Sequence, residues 1–187
     1  MFTLKKYINV KKLIFVLTLS IFLYYSYLLI NRPFFFDWDE WSIIINFLEL
    51  NYLEWVFQPH LGHYFPFGKL VYSIELWLFR DTYFLYVLFN LLLHLLNSVL
   101  LFFLLKKFIN DFWYTLIGVI IYFISWNHIE NLLWGVQVAL LLSVTFTIIS
   151  FHHITKKNYK KKDYLYIATF VFLSAFTFSF GLFLPIF

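Results

Sequence analysis

The sequence predicts an all-α fold: a polytopic membrane helical bundle of about five transmembrane helices, with interfacial helices in the first outer loop. Three observations lead to this prediction. The 187-residue chain is 63% hydrophobic, 26% aromatic and only 13% charged, whereas soluble domains are about half apolar and about a quarter charged. Its apolar residues form runs close to the ~20 residues that cross a bilayer. Its lysines form short clusters beside those runs. A water-soluble core could not bury this much apolar surface.

The predicted spans cover about 13–30, 83–105, 112–126, 132–151 and 164–184, and an outer loop, 31–81, follows the first span. A basic start before an apolar run is also typical of a signal peptide. However, the first run ends in tyrosines and Asn31-Arg32-Pro33 without a small-x-small cleavage pattern, which favours an uncleaved anchor helix. We expect residues 1–187 to form one transmembrane domain.

The lysine clusters predict the orientation of the spans. Lys5–Lys12, Lys106–Lys107 and Lys156–Lys162 fall at alternate ends of the five predicted spans, which places all three on the cytoplasmic side by the positive-inside rule. The amino terminus is then cytoplasmic, and the acidic loop and the Asn127–Asn131 turn lie outside. The net charge of +4 is explained by these clusters, so no nucleic-acid partner is expected. A composition rich in Phe, Ile, Lys, Asn and Tyr favours AT-rich coding and a bacterial cytoplasmic membrane.

The outer loop carries the first candidate chemistry. Asp37, Asp39 and Glu40 crowd three carboxylates just past the first span, an arrangement that suits a proton acceptor or a metal ligand. The alternative is a solvated acidic cap at the helix exit. The apolar pieces from Trp41 to Leu53 and from Phe67 to Phe79 are each interrupted by a glutamate, which predicts helices lying in the membrane interface.

A second candidate element is the segment His60–Pro66. Two histidines three residues apart could bind a metal on a helix, but Gly62 and the flanking prolines, Pro59 and Pro66, predict a turn. We therefore favour a polar loop that contacts substrate or lipid headgroups over a metal site.

Polar residues also occur inside the second predicted span and near its start. Asn90, His94 and Asn97 share one helix face, which favours interhelical hydrogen bonds over a direct ligand role. Lys69 and Arg80 lie on the acidic side, where either could pair with a carboxylate or cradle a lipid phosphate. The sequence does not separate these options.

The succession of these motifs resembles the GT-C membrane glycosyltransferases, which take a sugar from a polyprenyl-phosphate carrier and include protein-mannosyltransferase and aminoarabinose-transferase relatives. The resemblance covers about Phe34 to Leu184. The residues that carry it are Asp39-Glu40-Trp41, the His60–Pro66 loop, the Leu91–Asn97 stretch with His94, the outer turn Asn127–Gln137, and Ser179-Phe180-Gly181-Leu182.

The resemblance implies a function and a site. Asp39 would be the general base that deprotonates the acceptor, and Glu40 would orient it or bind a divalent metal, the only cofactor considered. His60, His63, Lys69 and Arg80 would stabilise the leaving phosphate. Glu130 and Gln137, with Trp134 between them, would complete the pocket. The implied partners are a polyprenyl-phosphate-linked sugar donor, the lipid bilayer, and a glycan, lipid or protein acceptor.

A second function class stays open. A non-enzymatic carrier, flippase component or assembly subunit for lipid-linked glycans would use the same polar bundle interior. Because the family's members are longer, we expect this chain to be a fragment of a longer membrane domain.

Overall fold

The computed structural model describes residues 39–125, 131–156 and 158–178, together with the backbone of Trp38 and the single helical residues Leu23 and Tyr27. The remainder of the predicted first span, Glu130 and Ser179–Leu182 lie outside the described residues. The chain divides into two compact units, Met1–Phe34 and Phe35–Phe187.

The second unit is all-helical over its described residues, with no β-strand beyond one isolated bridge between His60 and His63. Seven α-helices are described there: α1 (Trp38–Glu49), α2 (Tyr52–Phe57), α3 (Pro66–Phe79), α4 (Tyr83–Leu105), α5 (Phe112–Ile124), α6 (Val138–Ile154) and α7 (Lys161–Thr177). A single 3-10 turn, Gly135–Gln137, leads directly into α6.

The helices begin where side chains satisfy their free backbone N–H groups. The Asn51 side chain accepts from Leu53 N at the start of α2, and Asp111 accepts from Trp113 N and Tyr114 N at the start of α5. α3 starts with Pro66, whose missing N–H costs nothing in the first turn. α1 has Asp39 and Glu40 in its first turn, where carboxylates are favoured by the helix dipole.

Helices α4 and α6 run parallel, and α7 runs antiparallel to α6. Hydrogen bonds join α4 to α6 or the turn before it at a nearly constant separation: Asn90 to Trp134, 44 residues apart, Asn97 to Leu141, also 44 apart, and Lys107 to His152, 45 apart. Between α6 and α7, Ser143 contacts Ser174 whereas the later His153 contacts the earlier Asp163. The segment from Trp134 to Val136 and the end of α7 therefore share one end of the bundle.

The polar face predicted for the second span points into the bundle. Asn90, His94 and Asn97 are all fully buried. The Asn90 amide donates to the carbonyl oxygen of Trp134 (2.7 Å), the His94 ring Nε2–H to that of Phe123 (3.1 Å), and the Asn97 amide to that of Leu141 (2.9 Å). The interpretation of these residues as interhelical hydrogen-bonding groups is confirmed.

The outward faces are apolar. Leu92, Leu96, Val99 and Phe103 lie on one face of α4 and are 44–57% exposed. Two of the described helical segments are long and apolar enough to cross a membrane, Tyr83–Leu105 and Gly135–Ile154. α5 has 13 residues and is about 20 Å long at 1.5 Å per residue, which is shorter than the ~30 Å hydrocarbon layer.

The helix bounds differ from the predicted spans in five places, including the end of α7 at Thr177, before the expected 184. The predicted span 83–105 coincides with α4, but α5 ends at Ile124 before the expected 126. Residues 131–133 are helical, but the α-helix is interrupted at Trp134, and α6 begins only at Val138 after the 3-10 turn and continues to Ile154, beyond the expected 151. α7 begins at Lys161, three residues before the expected 164, because the Asp163 side chain accepts from Lys160 N and caps it. Hydropathy does not detect such capping contacts.

Two of the lysine clusters lie at the end of the bundle away from Trp134. The Lys107 ammonium donates to the His152 carbonyl oxygen (2.8 Å) and the Thr155 hydroxyl (3.0 Å) at the end of α6. Lys156 forms an ion pair with Asp163 at the start of α7, and this contact holds the pKa of Asp163 well below its usual range. Lysine clusters therefore collect at one end of the bundle, and the acidic segment 39–81 lies at the other.

Candidate functional site

A cavity of about 180 Å³ opens at the acidic end of the bundle. Five of the residues that the sequence singled out line it: Asp39, His60, His63, Trp134 and Gln137. The other lining residues are Ile43, Leu61, Phe65, Val136 and Phe178. The cavity thus joins α1, the His60–Pro66 segment, the turn before α6 and the end of α7, which are far apart in sequence.

Asp39 reaches the cavity from the first turn of α1 and is partly exposed. Its backbone carbonyl oxygen accepts from the Ser42 hydroxyl (2.8 Å), one turn further along the helix. On the same helix Ile43 is buried and also lines the cavity. A carboxylate that lines such a hollow has the chemistry to accept a proton from a hydroxyl group.

The two histidines sit on a tight turn, as the glycine and prolines predicted. His60 and His63 exchange backbone hydrogen bonds of 2.9 and 2.8 Å, and both central residues have positive φ, +47° at Leu61 and +80° at Gly62. Positive φ at both centres is typical of a type I′ turn. A non-glycine residue such as Leu61 adopts this region at a cost of about 1–3 kcal/mol.

The two imidazoles have different surroundings. The His63 ring stacks on Phe178 at a centroid distance of 5.3 Å. The His60 Nε2 atom is buried without a hydrogen-bond partner in the described part of the chain. Burial lowers the pKa of His60, the nearby Lys69 and His63 lower it further, and the Asp39 carboxylate opposes them. His60 is therefore neutral at neutral pH.

Glu40 is fully buried behind the cavity wall rather than lining it. Its Oε1 accepts from the backbone N–H of Val136 (2.9 Å), and its Oε2 lies 2.6 Å from the Tyr83 hydroxyl. The Tyr83 hydroxyl is also 2.8 Å from the Leu133 carbonyl oxygen and accepts from Gly135 N. Glu40 therefore ties α1 to the turn that carries Trp134 and Gln137.

Gly135 permits this arrangement. A Cβ atom at Gly135 would lie 3.0 Å from Glu40 Oε1 and 3.1 Å from two atoms of Tyr86. The backbone can approach the buried carboxylate this closely because glycine has no side chain.

Lys69 and Arg80 are described by the structure, but neither lines the cavity. The Lys69 ammonium is buried and donates to the carbonyl oxygens of Trp55 (2.7 Å) and Gln58 (2.6 Å) at the end of α2. Burial lowers the Lys69 pKa to about 8. Lys69 thus holds α2 against α3, a role that depends on tertiary contacts invisible in the sequence.

Arg80 ends α3 and is exposed. Over the described residues neither Arg80 nor Lys69 forms an ion pair with Glu75 or Asp81. The carboxylate pairing that the sequence left open is thus not observed there, and the phosphate role stays a prediction. Glu130 lies outside the described residues.

The described residues contain no group of three or more His, Asp or Glu side chains able to hold a metal ion. Asp39 and Glu40 diverge, one to the cavity and one into the protein interior, so these neighbours do not present a joint ligand pair.

The sequence did not identify the apolar side chains that line the cavity or the buried polar side chains behind it. Phe65, Val136 and Phe178 line the cavity. Phe65 and Val136 lie within the recognised motifs but had no role assigned to them, and Phe178 directly precedes the Ser179–Leu182 motif. Tyr72, Glu75 and Tyr83 are buried near Glu40. Glu75 was seen only as a glutamate that interrupts an apolar stretch.

No protein-family model, curated protein or solved structure matches the chain.

Proposed function

We propose that this protein is a polytopic membrane glycosyltransferase that moves a sugar from a polyprenyl-phosphate donor to an acceptor on the non-cytoplasmic face of a bacterial cytoplasmic membrane. The observation that carries the proposal is the cavity that joins Asp39, His60, His63 and Gln137. These residues were selected from sequence motifs that resemble the GT-C glycosyltransferases, and they lie in one hollow although 98 positions separate Asp39 from Gln137.

The distribution of polar and apolar groups supports a membrane location. Fully buried positions include Asn90, His94 and Asn97, whereas large apolar side chains such as Phe103 and Ile121 are more than half exposed. Polar groups that face the bundle and apolar groups that face outward are the pattern of a helical bundle in lipid. The lysine-rich end then lies in the cytoplasm and the cavity on the opposite face.

In the proposed reaction Asp39 is the general base. The acceptor hydroxyl attacks the anomeric carbon of the donor sugar, and its proton passes to the Asp39 carboxylate. The bond between the anomeric carbon and the phosphate oxygen breaks, and the polyprenyl phosphate leaves with the bonding electron pair. Attack from the face opposite the phosphate inverts the anomeric configuration.

The leaving phosphate needs hydrogen-bond donors placed before the reaction begins. His60, His63 and Gln137 are at the cavity, whereas Lys69 donates to two backbone carbonyl oxygens. Because the His60 pKa is lowered, its ring assists as a neutral donor. Trp134 and Phe178 add the apolar wall on which a sugar ring packs.

The test is a transfer assay on membranes that contain the chain, with a panel of radiolabelled polyprenyl-phosphate sugars. Asp39→Asn removes the base and is compared with Asp81→Asn, an exposed aspartate of the same outer segment that does not line the cavity. The proposal requires transfer that Asp39→Asn abolishes and Asp81→Asn retains. Absence of transfer from every donor by the folded, inserted protein would favour the carrier or assembly-subunit alternative.

A further inference from the structure

Helix α3 buries a tyrosine and a glutamate that have no hydrogen-bond partners. Tyr72 is 0% exposed and Glu75 is 3% exposed, and the two lie on one face because they are three residues apart. In the part of the chain that the structure describes, no group lies within hydrogen-bond distance of the Tyr72 hydroxyl or of either Glu75 carboxyl oxygen. Three adjacent polar atoms are thus left without a partner.

The surroundings of these atoms are polar but hold no compensating positive charge. The Tyr86 ring packs against Tyr72 at a centroid distance of 6.0 Å, and the Glu40 carboxylate is close enough to act on both Tyr72 and Glu75. Lys69, on the same helix as Glu75, directs its ammonium to Trp55 and Gln58 instead. The ion pairs of the described residues involve only Asp163 at the other end of the bundle.

Burial of the Tyr72 hydroxyl and the Glu75 carboxyl without partners destabilises the folded protein unless water or an ion binds beside them. A buried polar group without a partner loses its hydration and gains nothing in return. With water alone in the site, the hydrogen-bonding atoms are satisfied but Glu75 stays protonated beside the charged Glu40. A cation would satisfy the oxygen atoms and would also supply the counter-charge that lets Glu75 ionise.

We propose that Glu75 and Tyr72 bind a monovalent alkali cation in a buried site beside Glu40. The ligands offered are all oxygens, which hard cations prefer. A single charge matches the single free carboxylate, because Glu40 is already engaged by Val136 N and Tyr83. A divalent ion would need further carboxylates. The proposal does not depend on sugar transfer.

The site is expected to exchange its cation for a proton. α3 lies outside both candidate membrane-spanning segments, and burial together with the Glu40 charge raises the pKa of Glu75 to about 9. The titratable groups that interact with it are Glu40 of α1, Tyr72 of α3 and Tyr86 of α4. Because the carboxyl must lose its proton to bind the cation, the apparent affinity should rise about tenfold per pH unit below pH 9.

The test is thermal unfolding of the purified full chain in lipid nanodiscs, in NaCl, KCl or choline chloride at one ionic strength. A cation that binds only the folded state raises the unfolding temperature. Na⁺ or K⁺ should stabilise the native protein more than choline does, and more strongly at pH 8 than at pH 6. Glu75→Gln should abolish the difference and Tyr72→Phe should reduce it. Glu54→Gln, at an exposed glutamate of α2, should retain it.

A second measurement keeps the proposal testable if Glu75→Gln fails to fold. Addition of NaCl or KCl to the native protein in weak buffer should release about one proton per chain, as read from a pH dye. Equal stabilisation by choline and the alkali cations, or an undiminished difference in folded Glu75→Gln, would overturn the proposal. Absence of proton release would overturn it as well, since Glu75 would then keep its proton and bind no cation.

Discussion

The carboxylate of Glu40 accepts a hydrogen bond from the backbone N–H of Val136, 2.9 Å away and 96 residues later in the chain. This contact fixes the distance between the helix that carries Asp39 and the turn that carries Gln137. Since both residues line the cavity, the shape of the cavity depends on a carboxylate outside it. Glu40 is therefore a positioning residue.

Removal of this contact should loosen the cavity. Glu40→Ala leaves Val136 N unpaired and deletes the Tyr83 contact, so we expect the free energy of unfolding to fall by about 2–4 kcal/mol. Chemical denaturation measures that loss, and hydrogen exchange should show faster exchange at Gly135 and Val136. Glu49→Ala, at an exposed position of the same helix, is the control. A stability loss no larger than that of Glu49→Ala would contradict the assignment.

Gly68 sets the distance of α3 from α6 and α7. A Cβ there would lie 2.4 Å from Ala139 Cβ and 2.7 Å from the Thr177 carbonyl oxygen, so Gly68→Ala should force the helices apart and cost about 1–3 kcal/mol. At Gly118 the nearest atom to an added Cβ is a Leu105 methyl at 3.7 Å. Gly118→Ala should therefore be neutral or stabilising by up to about 1 kcal/mol, owing to the better helix propensity of alanine. Equal unfolding temperatures for the two variants would contradict this packing.

Substitution of Arg80 can distinguish an effect on stability from a role in substrate binding. It ends α3 with φ +50° and ψ −121°, a conformation that favours glycine and costs other residues about 1–3 kcal/mol. Arg80→Gly should raise the free energy of unfolding by about 1 kcal/mol, after the greater unfolded-state entropy of glycine is subtracted. Because Arg80 does not line the cavity, donor binding should be unchanged. Weaker binding by a stable variant would restore Arg80 as a phosphate ligand.

Ionisation of Glu75 should make the stability of the protein fall as the pH rises. Its pKa is raised to about 9, against about 4.3 in an unfolded chain. The folded state then binds more protons than the unfolded state between these values, so stability should fall as pH rises from about 4.5 to 9. Unfolding measured across this range in choline salts should show the decline, and Glu75→Gln should flatten it. An unchanged slope in that variant would mean that Glu75 is ionised in the folded protein.

The sequence predicted the parts of the fold that depend on local chemistry. Helix α4 coincides with the apolar run 83–105 because Lys106 and Lys107 end that run, and the His60–His63 turn follows from Gly62 and the neighbouring prolines. Asn90, His94 and Asn97 could be assigned to the bundle interior because their spacing puts them on one face.

The remaining features depend on contacts between distant segments. α6 begins at Val138 after a 3-10 turn, and Glu40, from a helix nearly a hundred residues earlier, is bonded to that turn. The same limit applies to the site: Asp39, His60, His63 and Gln137 could be selected from motifs, but the burial of Lys69 against α2 could not. In the sequence, Glu75 is only a charged residue that interrupts an apolar stretch. Its burial depends on the packing of α3 against the neighbouring helices, which the sequence does not show.

The most direct test of the account is to locate where a lipid-linked sugar binds. Membranes containing the chain would be irradiated with a photoreactive polyprenyl-phosphate sugar, and the labelled residues identified by mass spectrometry. We expect label on the cavity segments 58–65 and 134–138, displaced by unlabelled donor and diminished in His60→Ala or Gln137→Ala. Label confined to the lysine-rich end of the bundle, or label that unlabelled donor does not displace, would contradict the claim that the cavity binds the donor.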